Sequence, residues 1–122
     1  MKTAELTGAL LNYWVARAEG IPADALEIRM VPRTDNQIVV HTVTSAYAPQ
    51  ARIQVVLNYT DNWQQCGPLI EKHMVSVGFG LDCWSAESAP PYEQEGNTPQ
   101  EAICRSIVRG EFGDDVEDSP CL

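Results

Sequence analysis

Basic residues are scarce in this sequence, which has eight lysines and arginines against 17 aspartates and glutamates and a formal net charge of −9. A chain with this balance repels the phosphates of nucleic acids, so we expect no DNA or RNA polymer as a partner. A small anionic ligand is still compatible with the charge, because one arginine beside a helix N-terminus can outweigh more distant acids.

Paired metal-binding motifs are also absent. The four cysteines form no C-x-x-C pair, and neither of the two histidines stands at a zinc-finger spacing from them. The segment Met1 to Glu5 shows no apolar secretory region, and no run approaches the ~18 apolar residues of a membrane span. We therefore predict a cytoplasmic protein with no metal, cofactor or membrane partner. Its cysteines are predicted to be free thiols, namely Cys66, Cys83, Cys104 and Cys121.

Apolar residues at helical spacing predict three helices, over 3–19, 61–73 and 98–110. Thr3 is the predicted N-cap of the first helix, and Thr60 or Asp61 that of the second. The third helix has the clearest signal, because Thr98-Pro99-Gln100-Glu101 is a capping box with proline at the first helical position. In such a box Thr98 accepts a hydrogen bond from the Glu101 amide and the Glu101 side chain returns to the Thr98 amide.

Runs rich in β-branched residues predict strands between the first two helices, over 26–31, 37–45 and 52–57. Two further runs flank Gly80-Leu81-Asp82 and predict a β-hairpin, over 74–79 and 83–88. Residues 89–97 are rich in proline, glutamate and glycine and predict a long exposed loop.

Together these elements predict an α+β fold in which an antiparallel sheet is covered by about three helices. The length of 122 residues and the 44% hydrophobic content suit a single domain over 1–118, with a strand-rich insertion at about 24–58. An acidic C-terminal tail follows over 111–122. The tail either is a solvated, mobile end or mimics nucleic acid or docks on a basic partner.

Several short stretches form a pattern in order and spacing over most of residues 1–20 and 59–118. They are Thr3-Ala4-Glu5-Leu6-Thr7-Gly8, Tyr13 to Gly20, Asn62-Trp63, Gly67 to His73, Thr98-Pro99, Glu101 to Val108 and Phe112 to Val116. This pattern resembles the NinX-like proteins of lambdoid phages and prophages. Residues 24–58 depart from it, because they replace an expected short connection with what looks like an extra pair of strands.

The resemblance implies a phage protein that works in the bacterial host cell. The family brings no established activity with it. At the level of the fold it resembles small phage α/β sandwich domains, which include sponges that sequester nucleotide immune signals.

The residues themselves specify no reaction, so we predict that the protein is not an enzyme. Neither His41 nor His73 has a nucleophile or carboxylate partner in a motif, and structural roles are predicted for both. Cys104 stands on an apolar helix face and is predicted to be buried and inert. Trp63 and Trp84 are predicted to belong to the core.

A ligand site is predicted at the start of the third helix. Asn97 and Thr98 would offer backbone amides to an anion, and Arg105 and Arg109 would supply positive charge from one helix face. Tyr59, just before the second helix, would stack on a base. The same residues also suit a capped helix with solvated arginines.

Two functions follow from these observations. The first is a non-enzymatic sponge that binds a small anionic, nucleotide-like ligand. The second is an acidic protein-interaction module that inhibits or adapts a host or phage protein. A homo-oligomer is also predicted, because the strand-rich segment 37–57 would leave an edge or an apolar face uncovered.

Overall fold

The computed structural model describes residues 1–44, 47 and 50–117. This part of the chain has three α-helices, which are α1 (Gly8–Ala18), α2 (Trp63–Lys72) and α3 (Pro99–Phe112). It has six strands, which are β1 (Leu26–Met30), β2 (Gln37–Thr44), β3 (Arg52–Leu57), β4 (Ser76–Gly80), β5 (Cys83–Ser88) and β6 (Tyr92–Gly96). Among the described residues, no helix is long and apolar enough to cross a membrane.

The first helix starts later than predicted because Thr3 does not cap it. Residues Thr3–Glu5 form a separate 3-10 turn. The Thr3 hydroxyl instead donates to the carbonyl oxygen of Gly113 at 2.7 Å. The helix ends near the predicted position, and Gly20 follows it at a φ of +92°, a left-handed conformation that favours glycine.

The second helix is capped by Asn62 rather than by Thr60 or Asp61. The Asn62 side chain accepts a hydrogen bond from the backbone N–H of Gln64 at 2.9 Å. The Thr60 hydroxyl donates to the side chain of Asn58 at 3.4 Å. The preference for a short polar cap was therefore correct, but its position was one or two residues too early.

The prediction of an α+β fold is confirmed, but the strands form two sheets rather than one. The first sheet has the order β1-β2-β3 and the second the order β4-β5-β6, and every pairing is antiparallel. Strands β1 to β3 precede α2 in the chain and form the first sheet, whereas β4 to β6 follow α2 and form the second. Each sheet is therefore a meander of consecutive strands. The predicted loop over 89–97 was wrong, since Tyr92–Gly96 forms the third strand of the second sheet despite its two glutamates. Tertiary packing on α3 overrides the low strand propensity of this segment.

One cluster of buried side chains connects all these layers. Helix α1 contacts the three strands of the first sheet, α3 contacts those of the second, and the two helices contact each other. Leu11 and Val15 of α1 and Ile103 of α3 are fully buried in this cluster. Burial of each such side chain contributes about 1.5–3 kcal/mol. Trp14 stacks edge-on against Phe112, with ring centroids 5.2 Å apart.

The segment predicted as an acidic tail begins inside α3 and then runs beside the N-terminus. The Met1 amino group donates to the Val116 carbonyl at 2.8 Å, and the Val116 amide donates to Met1 at 2.9 Å. The indole N–H of Trp14 donates to the carbonyl of Glu117 at 3.2 Å. Residues 113–117 are therefore part of the fold, and 118–122 lie outside the described residues.

Candidate functional site

Two amides at the start of α3 are bound by side chains of the capping box. The Thr98 hydroxyl accepts from the Glu101 amide at 3.1 Å, which confirms the first half of the predicted capping box. The Glu101 carboxylate accepts from the amide of Asn97 at 3.0 Å rather than from that of Thr98. A carboxylate therefore already occupies the position that an incoming anion would need.

The two arginines of the predicted site are bound to backbone carbonyls. The Nε of Arg105 donates to Leu6 at 2.9 Å and its Nη1 to Glu95 at 2.8 Å, and Nη1 lies 3.2 Å from the Glu101 carboxylate. Only 12% of this side chain is exposed. Nη1 of Arg109 donates to the carbonyl of Glu93 at 2.9 Å. These guanidinium groups hold α3 to neighbouring segments, so the donors used in these bonds are not available to a phosphate.

Of the predicted ligand residues, Asn97 and Arg105 share one cleft of about 410 Å³. Glu93 and Glu95 also line this cleft, so its charge does not favour an anion. Thr98, Arg109 and Tyr59 do not line it.

Tyr59 is buried, with 7% of its surface exposed, so it offers no open face for a base to stack on. Burial, together with the negative charge of Glu19, raises the pKa of Tyr59 to about 12. The stacking role predicted from the sequence is therefore not supported. Its position just before a helix predicts exposure, but Tyr59 packs into the core.

A larger cleft of about 690 Å³ was missed in the sequence. The first turn of α1 lines it at Thr7 and Gly8. Three acids also line it, Glu5, Asp35 and Asp61, and no lysine or arginine does. No short sequence signal marks this cleft, because its lining comes from α1, β2 and the segment after β3.

The first sheet carries an apolar surface that its helix does not cover. β2 and β3 continue past the start of β1, since Leu26 pairs with His41 and the pairing of β2 with β3 runs on to Thr44 and Arg52. This two-stranded part of the sheet has one face in common with the buried Val39 and Leu57. On that face it carries one large apolar side chain from β2 and two from β3. We call these three residues the apolar extension, namely Val43, Ile53 and Val55.

The apolar extension is well exposed to solvent. Ile53 keeps 53% of its surface exposed and Val55 keeps 40%. The sheet at this point is only two strands wide, and a two-stranded ribbon is marginal in water without further packing. The sequence predicted that these three residues lie in strands. It did not predict which strand residues α1 leaves uncovered, because the strand residues themselves do not show how far the helix extends over the sheet.

The aromatic residues divide between core and surface. Trp84 packs against the core cluster, as predicted, with its ring 5.1 Å from that of Phe79. Trp63 was predicted to be buried but is half exposed. It is the first residue of α2, whose buried residues are Cys66 and Leu69.

Three of the predicted free thiols are free, and Cys121 lies outside the described residues. Cys66 and Cys104 are buried, and the thiol of each interacts with that of the other. A hydrogen bond from Cys104 lowers the pKa of Cys66, whereas the same contact and burial raise the pKa of Cys104. Burial, together with the nearby Glu95 carboxylate, raises the pKa of the Cys83 thiol.

The His73 side chain links α2 to the end of α1. Its Nε2 lies 2.7 Å from one carboxylate oxygen of Glu19, and the ammonium group of Lys72 lies 3.1 Å from the other. This group of three side chains joins two helix ends that otherwise have no direct side-chain bond among the described residues. It performs the structural role predicted for His73.

The geometry defines a small α+β protein with two three-stranded sheets and an uncovered apolar ribbon, in which the protein's own groups occupy the predicted anion site. A sequence model described as bacteriophage P22 NinX matches residues 2–110. The chain therefore belongs to the NinX family of phage proteins. No curated protein matches the sequence.

Proposed function

We propose that this phage protein is a non-enzymatic protein-binding module whose contact surface is the apolar extension of the first sheet. The observation that carries the proposal is the exposure of Val43, Ile53 and Val55 on a two-stranded ribbon that projects beyond the core. Contiguous exposed apolar side chains of this kind are typical of protein interaction sites.

The contacts at α3 do not favour the alternative of a nucleotide sponge. A phosphate at Asn97 and Thr98 would have to displace the Glu101 carboxylate. It would also have to take Arg105 from two backbone carbonyls. Loss of each such charged hydrogen bond costs about 1.5–3 kcal/mol. A ligand would have to compensate for these losses before it gained any affinity.

Photo-crosslinking in phage-producing cells tests the proposal. A benzoylphenylalanine is placed at position 53 in the apolar extension, and a matched control carries it at the exposed Glu87 on the second sheet. We expect a discrete protein adduct from position 53 and none from position 87. The absence of an adduct at position 53 would contradict the proposed function.

Native mass spectrometry of the protein from the same cells tests the alternative. A retained nucleotide, or a rise in melting temperature with added nucleotide, would favour the sponge. A ligand at 100 times its Kd stabilises a protein by about 2.7 kcal/mol, which a thermal melt resolves easily.

A further inference from the structure

The outer edge of β3 is closed at one end by a side chain. The carboxamide of Gln65 on α2 donates to the carbonyl of Val56 at 2.9 Å and accepts from the amide of Asn58 at 2.5 Å. These two bonds reproduce the pair that a neighbouring strand would make. They also show that the backbone groups of Val56 and Asn58 point away from β2.

No further strand in the described part of the chain pairs with the rest of this edge. Because backbone groups along an antiparallel strand alternate in direction, the N–H and C=O groups of Arg52 and Gln54 point outward like those of Val56. Among the described residues, no hydrogen bond is made to the backbone of Gln54 from outside the sheet. The open section therefore spans the few residues from Arg52 to Val55, between the Gln65 carboxamide and the end of the ribbon. An unpaired edge of this kind is a template for an added strand.

The two faces beside the open edge differ in chemistry. Ile53 and Val55 lie on the face of the apolar extension. The opposite face carries Arg52 and Gln54, and the Gln54 side chain accepts from Arg29 on β1 at 3.4 Å. Arg29 is itself ion-paired with Glu27 at 2.8 Å, so a strand added here would meet apolar groups on one face and the Arg52 guanidinium on the other.

The charge around the open edge is opposite to that of the molecule. Residues 26–57 contain three arginines and two acids, a net charge of +1. The whole chain carries −9, so the remaining residues together carry −10. An acidic segment would therefore be repelled by most of the surface and accepted beside this sheet.

We propose that β3 binds an extended segment of a partner protein by strand addition, and that this segment alternates apolar with acidic residues. The inference rests on the proposed function, whose contact surface it shares. Main-chain bonds to Arg52 and Gln54 supply the pairing, the apolar residues pack on Ile53 and Val55, and the acidic residues lie beside Arg52.

A second copy of this chain is a poorer occupant. Antiparallel pairing of β3 with itself is disfavoured in the register that places Arg52 directly opposite Arg52, because like charges so paired are destabilising. An acidic residue of a partner segment at that position would instead pair with Arg52 favourably.

Binding of two dye-labelled peptides of about eight residues, matched to a typical strand length, tests the inference by fluorescence anisotropy. One peptide alternates valine with glutamate and the other alternates valine with lysine. We expect the glutamate peptide to bind at least about tenfold more tightly to the full chain. Failure of the wild-type protein to bind the glutamate peptide, or equal affinity for both, would overturn the inference.

Two substitutions locate the interaction. Gln54→Pro removes an outward N–H while the bonds between β3 and β2 remain, because proline is tolerated at such edge positions. It should abolish peptide binding, whereas the matched control Gln54→Ala should retain it. Arg52→Glu should reverse the preference, so that the lysine peptide binds more tightly. Because Arg52 is exposed, this substitution leaves the fold intact and tests the inference even if the proline variant does not fold. Binding that survives Gln54→Pro, or an unchanged preference in Arg52→Glu, overturns the inference.

Two further outcomes separate this inference from the proposed function. If the crosslinked adduct at position 53 forms equally in the Gln54→Pro protein, the partner packs on the apolar face without strand addition and only the inference fails. If no adduct forms at all, the proposed function fails. A dimer that light scattering detects in the wild type and not in Gln54→Pro would show a second copy as the occupant and overturn the inference.

Discussion

The hydroxyl oxygen of Ser106 on α3 lies 2.9 Å from that of Ser88 on β5, and both serines are buried. The same Ser106 oxygen accepts from the Ser88 amide at 2.9 Å and lies 2.6 Å from the carbonyl oxygen of Tyr92. One serine thus satisfies groups on two strands of the second sheet, at the place where the strand connection would otherwise leave them without a partner.

Ser106→Ala should lower the free energy of unfolding by about 1–3 kcal/mol, because the buried Ser88 amide loses its acceptor. Chemical denaturation measures the change. The exposed Ser76 provides the control, and Ser76→Ala should shift stability by less than about 0.5 kcal/mol. Equal effects of the two substitutions would show that the buried network contributes little.

Arg105→Ala should destabilise the protein by about 2–3 kcal/mol, because the carbonyls of Leu6 and Glu95 lose charged donors. Arg109→Ala should lower the free energy of unfolding by less, because the Arg109 side chain is 34% exposed. Thermal melts of the two variants make the comparison. An Arg105→Ala protein as stable as wild type would contradict a structural role and reopen the predicted phosphate site.

Thr98→Ala should cost about 1 kcal/mol, because the Glu101 amide loses its cap. Thr7 is a matched control, since it precedes α1 but its side chain makes no capping bond. Thr7→Ala should therefore leave the unfolding midpoint in urea nearly unchanged. The reverse order of the two effects would show that the capping box is not formed in solution.

Gly96→Ala should be strongly destabilising. A Cβ at this position would lie 2.6 Å from the backbone nitrogen of Ala102, which cannot move aside without shifting α3. Overpacking of this kind costs about 1–3 kcal/mol and occasionally more. At Gly78 no atom lies within 4 Å of the position that an added methyl group would take, so Gly78→Ala should be neutral or slightly stabilising in the same melts.

Tyr59 should make stability fall at high pH. In the unfolded chain this tyrosine loses its proton near pH 10, whereas the native protein holds its pKa at about 12. The stabilisation is complete below the unfolded pKa and is lost as the pH rises toward the folded value, by up to about 2 kcal/mol. Denaturation of wild type and Tyr59→Phe between about pH 9 and 11.5 measures it, and the wild type should decline more steeply. Parallel curves would place Tyr59 in a solvated environment.

Local signals predicted the helices and most strands well. The capping box at Thr98 placed the start of α3, and the β-branched runs placed β2 and β3. β6 could not be predicted in this way, because its pairing with β5 is set by packing against α3 rather than by its own residues. The division into two sheets was missed for the same reason, since periodicity shows which residues form strands but not which helix covers them.

The predicted ligand site shows a different limit of sequence reasoning. The sequence placed Arg105 about two turns from Thr98, too far to judge what the guanidinium meets. In the fold, the carbonyl groups of Leu6 and Glu95, which lie outside α3, accept hydrogen bonds from the Arg105 guanidinium. These bonds compete with any ligand for the same donors. The apolar extension was predicted better. The sequence predicted an uncovered edge or apolar face on the strand-rich segment 37–57, and the apolar extension lies within that segment.

The meander order of both sheets has a consequence for how the chain folds. Within each sheet, every strand pairs with its neighbour in sequence, so each sheet forms by short loop closures that cost little chain entropy. The distant contacts are those of α1 with α3 and of Met1 with Val116. Since closing long loops costs more chain entropy, we expect these contacts to form after the local hairpins. Hydrogen exchange should therefore protect β2 and β5 before it protects the amides of Thr3 and Val116.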